Sequence, residues 1–482
     1  MERIRRHALL TQPPFASLRR VRIDLRSDSI AAEKVFWMIV EKKKLHDIVA
    51  YPAHFAVWTN FRPTQKLMAY AYIELVNEII DHLHDDDLTL KACALVCRAW
   101  LPASRSRIFH HITLEGKPGV SALKFPIWRG KTRHIRRLYA ILSSTPEIVP
   151  CVRTAVIREG MVGREWMVRE KTLVPILRML NNVERFELER AAAMELAWAE
   201  LPLELKGAVQ HLLALPSLRE VKLGMLALDD PKELLRILEG CRNLRLLHLY
   251  HLRLRGPMSY ESIVEKDIPP ARVDALIVGP RTSPEVVGCL LHPQFNMDMS
   301  SLRRLSLSIS GNFAEYARLV SSAVALENLE IIFMSDVDLA AYQALPSSDR
   351  FDMSHNPYLR RLAVKFDVIQ RQDDPLPWLN ALFATFTTPN ILEYIHIVYS
   401  LYLPEPYMDR SANTTIFDGW QAIDATLARP VLQSLRQVKL EFSLENPIGY
   451  GVAPRFLEEV DLKSPRLRAR NVLVVEAFDT SG

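Results

Sequence analysis

Glycine is scarce in this chain, 16 of 482 residues, against 30 prolines. That shortage argues against glycine-rich phosphate-cradling loops and for connections punctuated by proline. The search for such loops agrees: there is no Gly-x-x-x-x-Gly-Lys-Ser/Thr, Gly-x-Gly-x-x-Gly, His-Glu-x-x-His, Gly-x-Ser-x-Gly or Cys-x-x-Cys. No stretch approaches the ~18–20 apolar residues of a membrane helix, since Pro52 and His54 interrupt even Ile48–Trp58. Five scattered cysteines (Cys93, Cys97, Cys151, Cys241, Cys289) are too few and too uneven for a disulfide framework, so reduced thiols in the cytosol or nucleus are expected. A net charge of +5, with no segment that stacks basic residues with aromatics, gives no reason to expect nucleic acid. The basic N-terminal stretch contains Glu2, Asp24 and the pair Pro13-Pro14, which break any secretory apolar core.

What is present is an ordinary globular balance, 49% hydrophobic and 24% charged, in a chain long enough for several domains or a repeat array. Residues 1–66 lack sustained periodicity and read as a separate N-terminal extension. Helical spacing begins at Glu74, with Leu75, Ile79 and Leu83 on one face and Val76 and Ile80 beside them. Asp85–Asp87 then breaks the helix and offers a cap to a second one over Leu88–Val96. A third runs from about Arg98 toward Arg107, and a short strand follows at Ile112–Leu114. This makes a small helical module over residues 67–115, marginal on its own and with apolar residues to spare.

From about residue 150 the texture becomes repetitive. A template with apolar residues at positions 1, 4 and 6 matches ten times in order, at starts about 31 residues apart. The series runs from Val152/Ala155/Ile157 to Leu435/Val438/Leu440 and includes Leu302/Leu305/Leu307, Leu329/Ile332/Met334 and Leu359/Leu362/Val364. Positions 4 and 6 have the period of a strand with one face inward. Helix-like pieces such as Pro231–Leu238 and Phe313–Ala325 lie between the strands. The expected fold class is α/β: a three-helix module, then an irregular leucine-rich-repeat-like solenoid over residues 116–482.

Nothing in the chain has the arrangement of a catalytic site, so no enzyme, cofactor or metal is expected. His82, His84 and Asp85–Asp87 look superficially like ligands for a hard metal, but a polar helix end and a capping loop explain each of them. The basic run Arg129–Arg137 reads as a solvated helix face.

The stretch Glu74-Leu75, Ile79-Ile80, Leu83, Asp86-Asp87, Leu95-Val96-Cys97-Arg98-Ala99-Trp100 and Ile108-Phe109 resembles an F-box. The resemblance covers about residues 70–112 and is most specific in its second half. Where that family has Leu-Pro, this chain has Ala71-Tyr72, so no proline presets the turn into the first helix. The wording is similar to the expanded F-box set of mushroom-forming fungi, in which an irregular leucine-rich-like region commonly follows.

The resemblance implies docking on the Skp-family adaptor of an SCF-type cullin–RING ubiquitin ligase, and through it on a cullin. Carried over by position, the adaptor-binding candidates are Leu75, Ile79, Leu83, Leu95, Val96, Trp100 and Phe109, with Leu75, Ile79 and Trp100 favoured as anchors. Some of the seven must form the module's own core, and the sequence does not divide the two sets. A target protein would then sit on the outward strand positions, near Tyr250, Ile277 and Phe333. Two alternatives stay open: an F-box protein acting outside ubiquitination, and a leucine-rich scaffold that the helical module merely caps.

Overall fold

The computed structural model describes residues 74–479 apart from 75, 84–85, 97, 99, 117–131, 160–165, 191–194, 257–270, 296, 312, 335–344, 347–348, 367–374, 402–418 and 445–451. Residues 1–66, Ala71-Tyr72 and the expected candidate Leu75 fall outside the described residues. The chain divides into two compact units, the first comprising Met1–Ile112 with Pro146–Val152 and the second Thr113–Thr145 with Arg153–Gly482. Among the described residues no helix is long and apolar enough to cross a membrane.

In the first unit residues 76–81 are helical, followed by α1 (Asp87–Val96) and α2 (Leu101–Ile108). Apolar residues at 76, 79, 80 and 83 recur at helical spacing and enter one core with Leu90, Cys93 and Trp100, against which Ala103 and Ile108 pack. Asp86 caps α1 from the acidic cluster: its carboxylate accepts the Thr89 amide at 3.0 Å and the Thr89 hydroxyl at 2.8 Å. Arg107 Nε donates to Asp81 Oδ1 at 2.8 Å and so fastens α2 to the first helix.

The second unit is α/β, built on one twelve-stranded parallel sheet whose strand order follows the chain. The strands are β1 (His111–Glu115), β2 (Thr154–Glu159), β3 (Arg185–Arg190), β4 (Glu220–Gly224), β5 (Leu246–Tyr250), β6 (Ala275–Val278), β7 (Arg304–Ile309), β8 (Asn328–Phe333), β9 (Arg361–Phe366), β10 (Tyr394–Leu401), β11 (Gln437–Leu444) and β12 (Leu473–Asp479). Helices such as Pro231–Leu238, Phe313–Ser322 and Leu376–Ala384 connect successive strands, as parallel pairing requires.

The register is the same at every step for which it is defined. Ala155, Phe186, Val221 and Leu247 stand opposite one another, and the row continues through Leu276, Leu305, Leu329, Leu362, Ile395 and Val438 to Leu473. These are the template's position-4 residues in nine of its ten matches.

The tenth match, Leu329/Ile332/Met334, is three residues out of step. Leu329 pairs with Leu305 and Leu362, so the repeat there is Leu326/Leu329/Ile331, all three buried. The sheet also holds a copy that the template misses, β12, because Arg470 occupies its first position. Instead of filling the core, the Arg470 guanidinium donates to the carbonyls of Leu427 (3.1 Å), Leu432 (3.1 Å) and Leu435 (3.3 Å) in the preceding connection.

Just ahead of the nine strands β3 to β11 runs a second regularity. The carbonyl of Arg153 accepts the amides of both Glu184 and Arg185, that of Glu184 accepts Arg219 and Glu220, and the pattern repeats for nine steps as far as Glu393, at 2.7–3.1 Å. One shared acceptor per step satisfies two amides where the chain enters the sheet.

Further along the strands, Phe333, Phe366, Tyr399 and Phe442 stack inside the sheet. Their ring centroids are 5.1, 5.4 and 5.3 Å apart and the rings lie within 19° of parallel. Trp378, from the helix Leu376–Ala384, meets Phe333 edge-on at 4.6 Å.

Candidate functional site

In the helical unit the structure divides the expected adaptor-binding set. Ile79, Leu83 and Trp100 are buried in the module's own core, Trp100 to 2% exposure, so the expectation that they face a partner is corrected: closing the small bundle uses them up. Leu95 is 87% exposed, and Val96 and Phe109 are half-buried. Leu88, not among the sequence candidates, is 79% exposed. On α1 the buried residues are Thr89, Leu90 and Cys93, which turns Leu88 and Leu95 away from the core. Seven residues, or two helical turns, separate them, so both lie on one stripe with half-buried Ala92 between. The signal was present in the sequence as a second apolar row on α1, since one short helix cannot bury two.

On the sheet unit, the three expected target-binding residues have three different fates. Phe333 is not outward: it is 2% exposed and lies within the aromatic stack, which corrects that expectation. The outward residue of its repeat is Glu330, which pairs with Lys365 Nζ at 2.6 Å and accepts from Ser306 Oγ at 2.8 Å. Ile277 does face outward. With Leu246, Ala275, Ala363 and Tyr394 it lines a groove of about 440 Å³ that is bordered by Arg304, Glu330 and His396.

Tyr250 lies flat across the strand beside it, a placement that Gly224 permits. A Cβ at Gly224 would come within 1.9 Å of Tyr250 Cζ. Across that gap the Tyr250 hydroxyl donates to Glu189 Oε2 at 2.6 Å. Arg158 Nε (2.6 Å) and Lys222 Nζ (3.1 Å) donate to the same carboxylate, and Lys222 also stands 5.1 Å from the Tyr250 ring centroid. A glycine inside a strand signals such a close approach, and Gly224 was the clue in the sequence to this cluster.

Burial pushes the Glu189 carboxyl up, but hydrogen bonds from Tyr250, Arg158 and Lys222 outweigh it and hold the group below the usual carboxylate range. Tyr250 is pushed up, first by burial and then by its bond to Glu189, and stays a phenol. His248, its ring 5.4 Å from that of Tyr250, is pushed down by burial and by Lys222, which favours neutral imidazole. The cluster is a fixed set of hydrogen-bonding groups on the outer face of β2 to β5.

A carboxyl whose folded pKa is depressed contributes stability that is present above its unfolded value, about 4.3, and is lost as pH falls through the folded one. Glu189→Gln is therefore expected to lower the urea midpoint at neutral pH, with the gap to the parent closing as pH drops below about 4. A gap that is constant with pH would show that the Glu189 charge is not what holds the cluster.

Among the described residues no group of three or more His, Cys, Asp or Glu could hold a metal ion. His84, Asp85 and Cys97 lie outside the described residues, and His82 is half-buried. Cys93 is a core thiol, pushed up to about 11 first by burial and then by Asp86. In the basic run, Arg136 pairs with the buried Glu170 at 3.1 Å, while Arg133 and Arg137 are exposed.

No protein-family model matches the sequence, and no curated protein matches it. Among solved structures, a Bacteroides fragilis protein determined by a structural-genomics consortium aligns over 65% of this chain and 68% of its own, at 11% identity and a TM-score of 0.31. An overlap that loose carries no argument about fold or function.

Proposed function

We propose that this chain is the target-recognition subunit of an SCF-type cullin–RING ubiquitin ligase, with an F-box-like helical module followed by an irregular leucine-rich-repeat-like solenoid. On this reading it does no bond chemistry. The helical module holds a Skp-family adaptor and through it a cullin, the outer sheet face holds a target protein, and the work is done in the cytosol or nucleus. Tethering raises the target's effective concentration near the ubiquitin-charged enzyme.

The observation that carries the reading is the exposed pair Leu88 and Leu95 on α1, left over after the module has closed a core of its own around Trp100. A pair of leucines two turns apart is the form in which a helix presents anchors to a groove. Chain-order strand pairing with one register throughout supports the repeat half of the reading.

Burying a leucine against a partner contributes about 1.5–3 kcal/mol. Losing both should therefore weaken adaptor binding by about a hundredfold or more. Co-expression of the full chain with a Skp-family adaptor is expected to give a stoichiometric complex on gel filtration. Leu88→Asp/Leu95→Asp should abolish that complex and leave thermal unfolding nearly unchanged, because exposed positions tolerate substitution within about 0.5 kcal/mol each. A parent chain that forms no complex, or a double variant that still does, rejects the reading.

A further inference from the structure

Along the edge where the strands begin, arginines are mostly answered by carboxylates on the neighbouring repeat. Arg153 pairs with Glu184 at 2.8 Å, Arg436 with Glu393 at 3.3 Å, and Arg185 with Glu220. The alternation fails at β4 to β7. There, Arg219, Arg242, Arg245, Arg272, Arg303 and Arg304 converge on a groove of about 590 Å³ in which Asp274 is the lone carboxylate of the lining. Arg303 and Arg272 each have a carboxylate at the margin of ion-pair distance, Glu327 at 3.8 Å and Asp298 at 3.9 Å. Arg219 donates to the Asn243 carbonyl at 3.2 Å. Among the described residues the guanidiniums of Arg242, Arg245 and Arg304 have no partner.

A solitary exposed arginine is ordinary, because water solvates it well. Several aimed into one cavity repel one another, and an anion relieves that repulsion. Arg304 also lines the apolar groove that holds Ile277 and Ala363, so the two depressions adjoin at this residue. No aromatic ring lines the arginine groove, which leaves nothing on which a nucleobase could stack. A free phosphate would make no use of the apolar floor.

We infer that this edge binds an acidic segment of a partner protein. Its carboxylates pair with Arg242, Arg245 and Arg304 in the forked geometry that guanidinium favours, and a following apolar side chain lies on Ile277. The inference rests on the sheet unit alone, so its failure would leave the adaptor reading standing, and the reverse holds too.

The test uses the full chain and a fluorescein-labelled peptide with a run of glutamates followed by leucine, read by fluorescence anisotropy. The expected result is saturable binding, absent for the glutamine counterpart and weakened about tenfold or more when salt rises from about 0.05 to 0.5 M. Arg245→Glu/Arg304→Glu should weaken it at least as much. Ile277→Asp should weaken binding of the leucine peptide more than of one carrying serine instead. Should the charge reversals disturb folding, judged by thermal unfolding, Arg242→Gln/Arg245→Gln takes their place. Equal binding of the glutamine peptide, or indifference to the arginine changes, overturns the inference. So does displacement by inorganic phosphate at the peptide's own concentration, which would mark a simple anion site. Tighter, arginine-dependent capture of a DNA duplex of equal charge would also overturn it and mark a nucleic-acid surface.

Discussion

Phe333→Asp is expected to unfold the sheet unit rather than to leave it intact and unable to bind. The ring stacks on Phe366 at 5.1 Å and meets Trp378 edge-on at 4.6 Å. Emptying such a site costs about 3–5 kcal/mol, and a carboxylate placed there adds the cost of an unpaired buried charge. Set against a typical total stability of about 5–15 kcal/mol, that is most or all of it. Urea unfolding of the variant should show no native baseline, while Phe333→Leu, which keeps much of the volume, should retain a cooperative transition. A well-folded Phe333→Asp protein would mean that the register of β8 is wrong. As a comparison, Glu330→Ala at the outward position should have a much smaller effect, because it removes a partly exposed pair with Lys365 and one hydrogen bond from Ser306.

Trp100→Ala should be nearly as damaging to the helical unit, by about 3–5 kcal/mol. Among the described residues the indole is the largest side chain in a core of seven, so little else there can collapse into the space. Hydrogen exchange resolved by segment is the measurement: amides of α1 and α2 should lose protection while those of β5 to β11 keep theirs. On the proposed function, adaptor binding would fall as well, but through loss of the helix and not of a contact. Leu88→Asp/Leu95→Asp differs in keeping α1 protected. Unchanged protection of α1 in Trp100→Ala would remove the indole from the core.

Much of the fold was legible in the residues. Period-two triples spaced by helices marked the strands, and Pro231–Leu238 is a helix with those bounds, begun by Asp230, whose side chain accepts the Lys232 amide at 2.8 Å. The slip at β8 has a local cause. Leu329-Glu330-Ile331-Ile332-Phe333-Met334 is apolar at five of six positions, so alternation does not fix its phase, and the true start, Leu326, comes only 24 residues after Leu302. β12 was hidden because an arginine can occupy a core-edge position when backbone carbonyls accept its hydrogen bonds. At the helical module the sequence showed a surplus of apolar side chains but not which would be spare. That division depends on how three helices close on Trp100, a tertiary matter that periodicity within one helix does not contain. The arginine groove was invisible for a similar reason: its outermost members, Arg219 and Arg304, are 85 positions apart and meet only because successive repeats begin at the same edge.

The shared carbonyl that admits β3 to β11 to the sheet has a consequence for how such a protein can change over generations. Each strand's backbone partners are its immediate predecessor and successor, so a whole unit can be duplicated or deleted and the flanking units can join by the same two amides and one acceptor. A single-residue insertion within a strand has no such freedom, since beyond it a polar side chain would enter the interior and an apolar one would face water. Diversification should therefore proceed by copying whole units and by exchanging the residues that look outward, with the framework between them held constant.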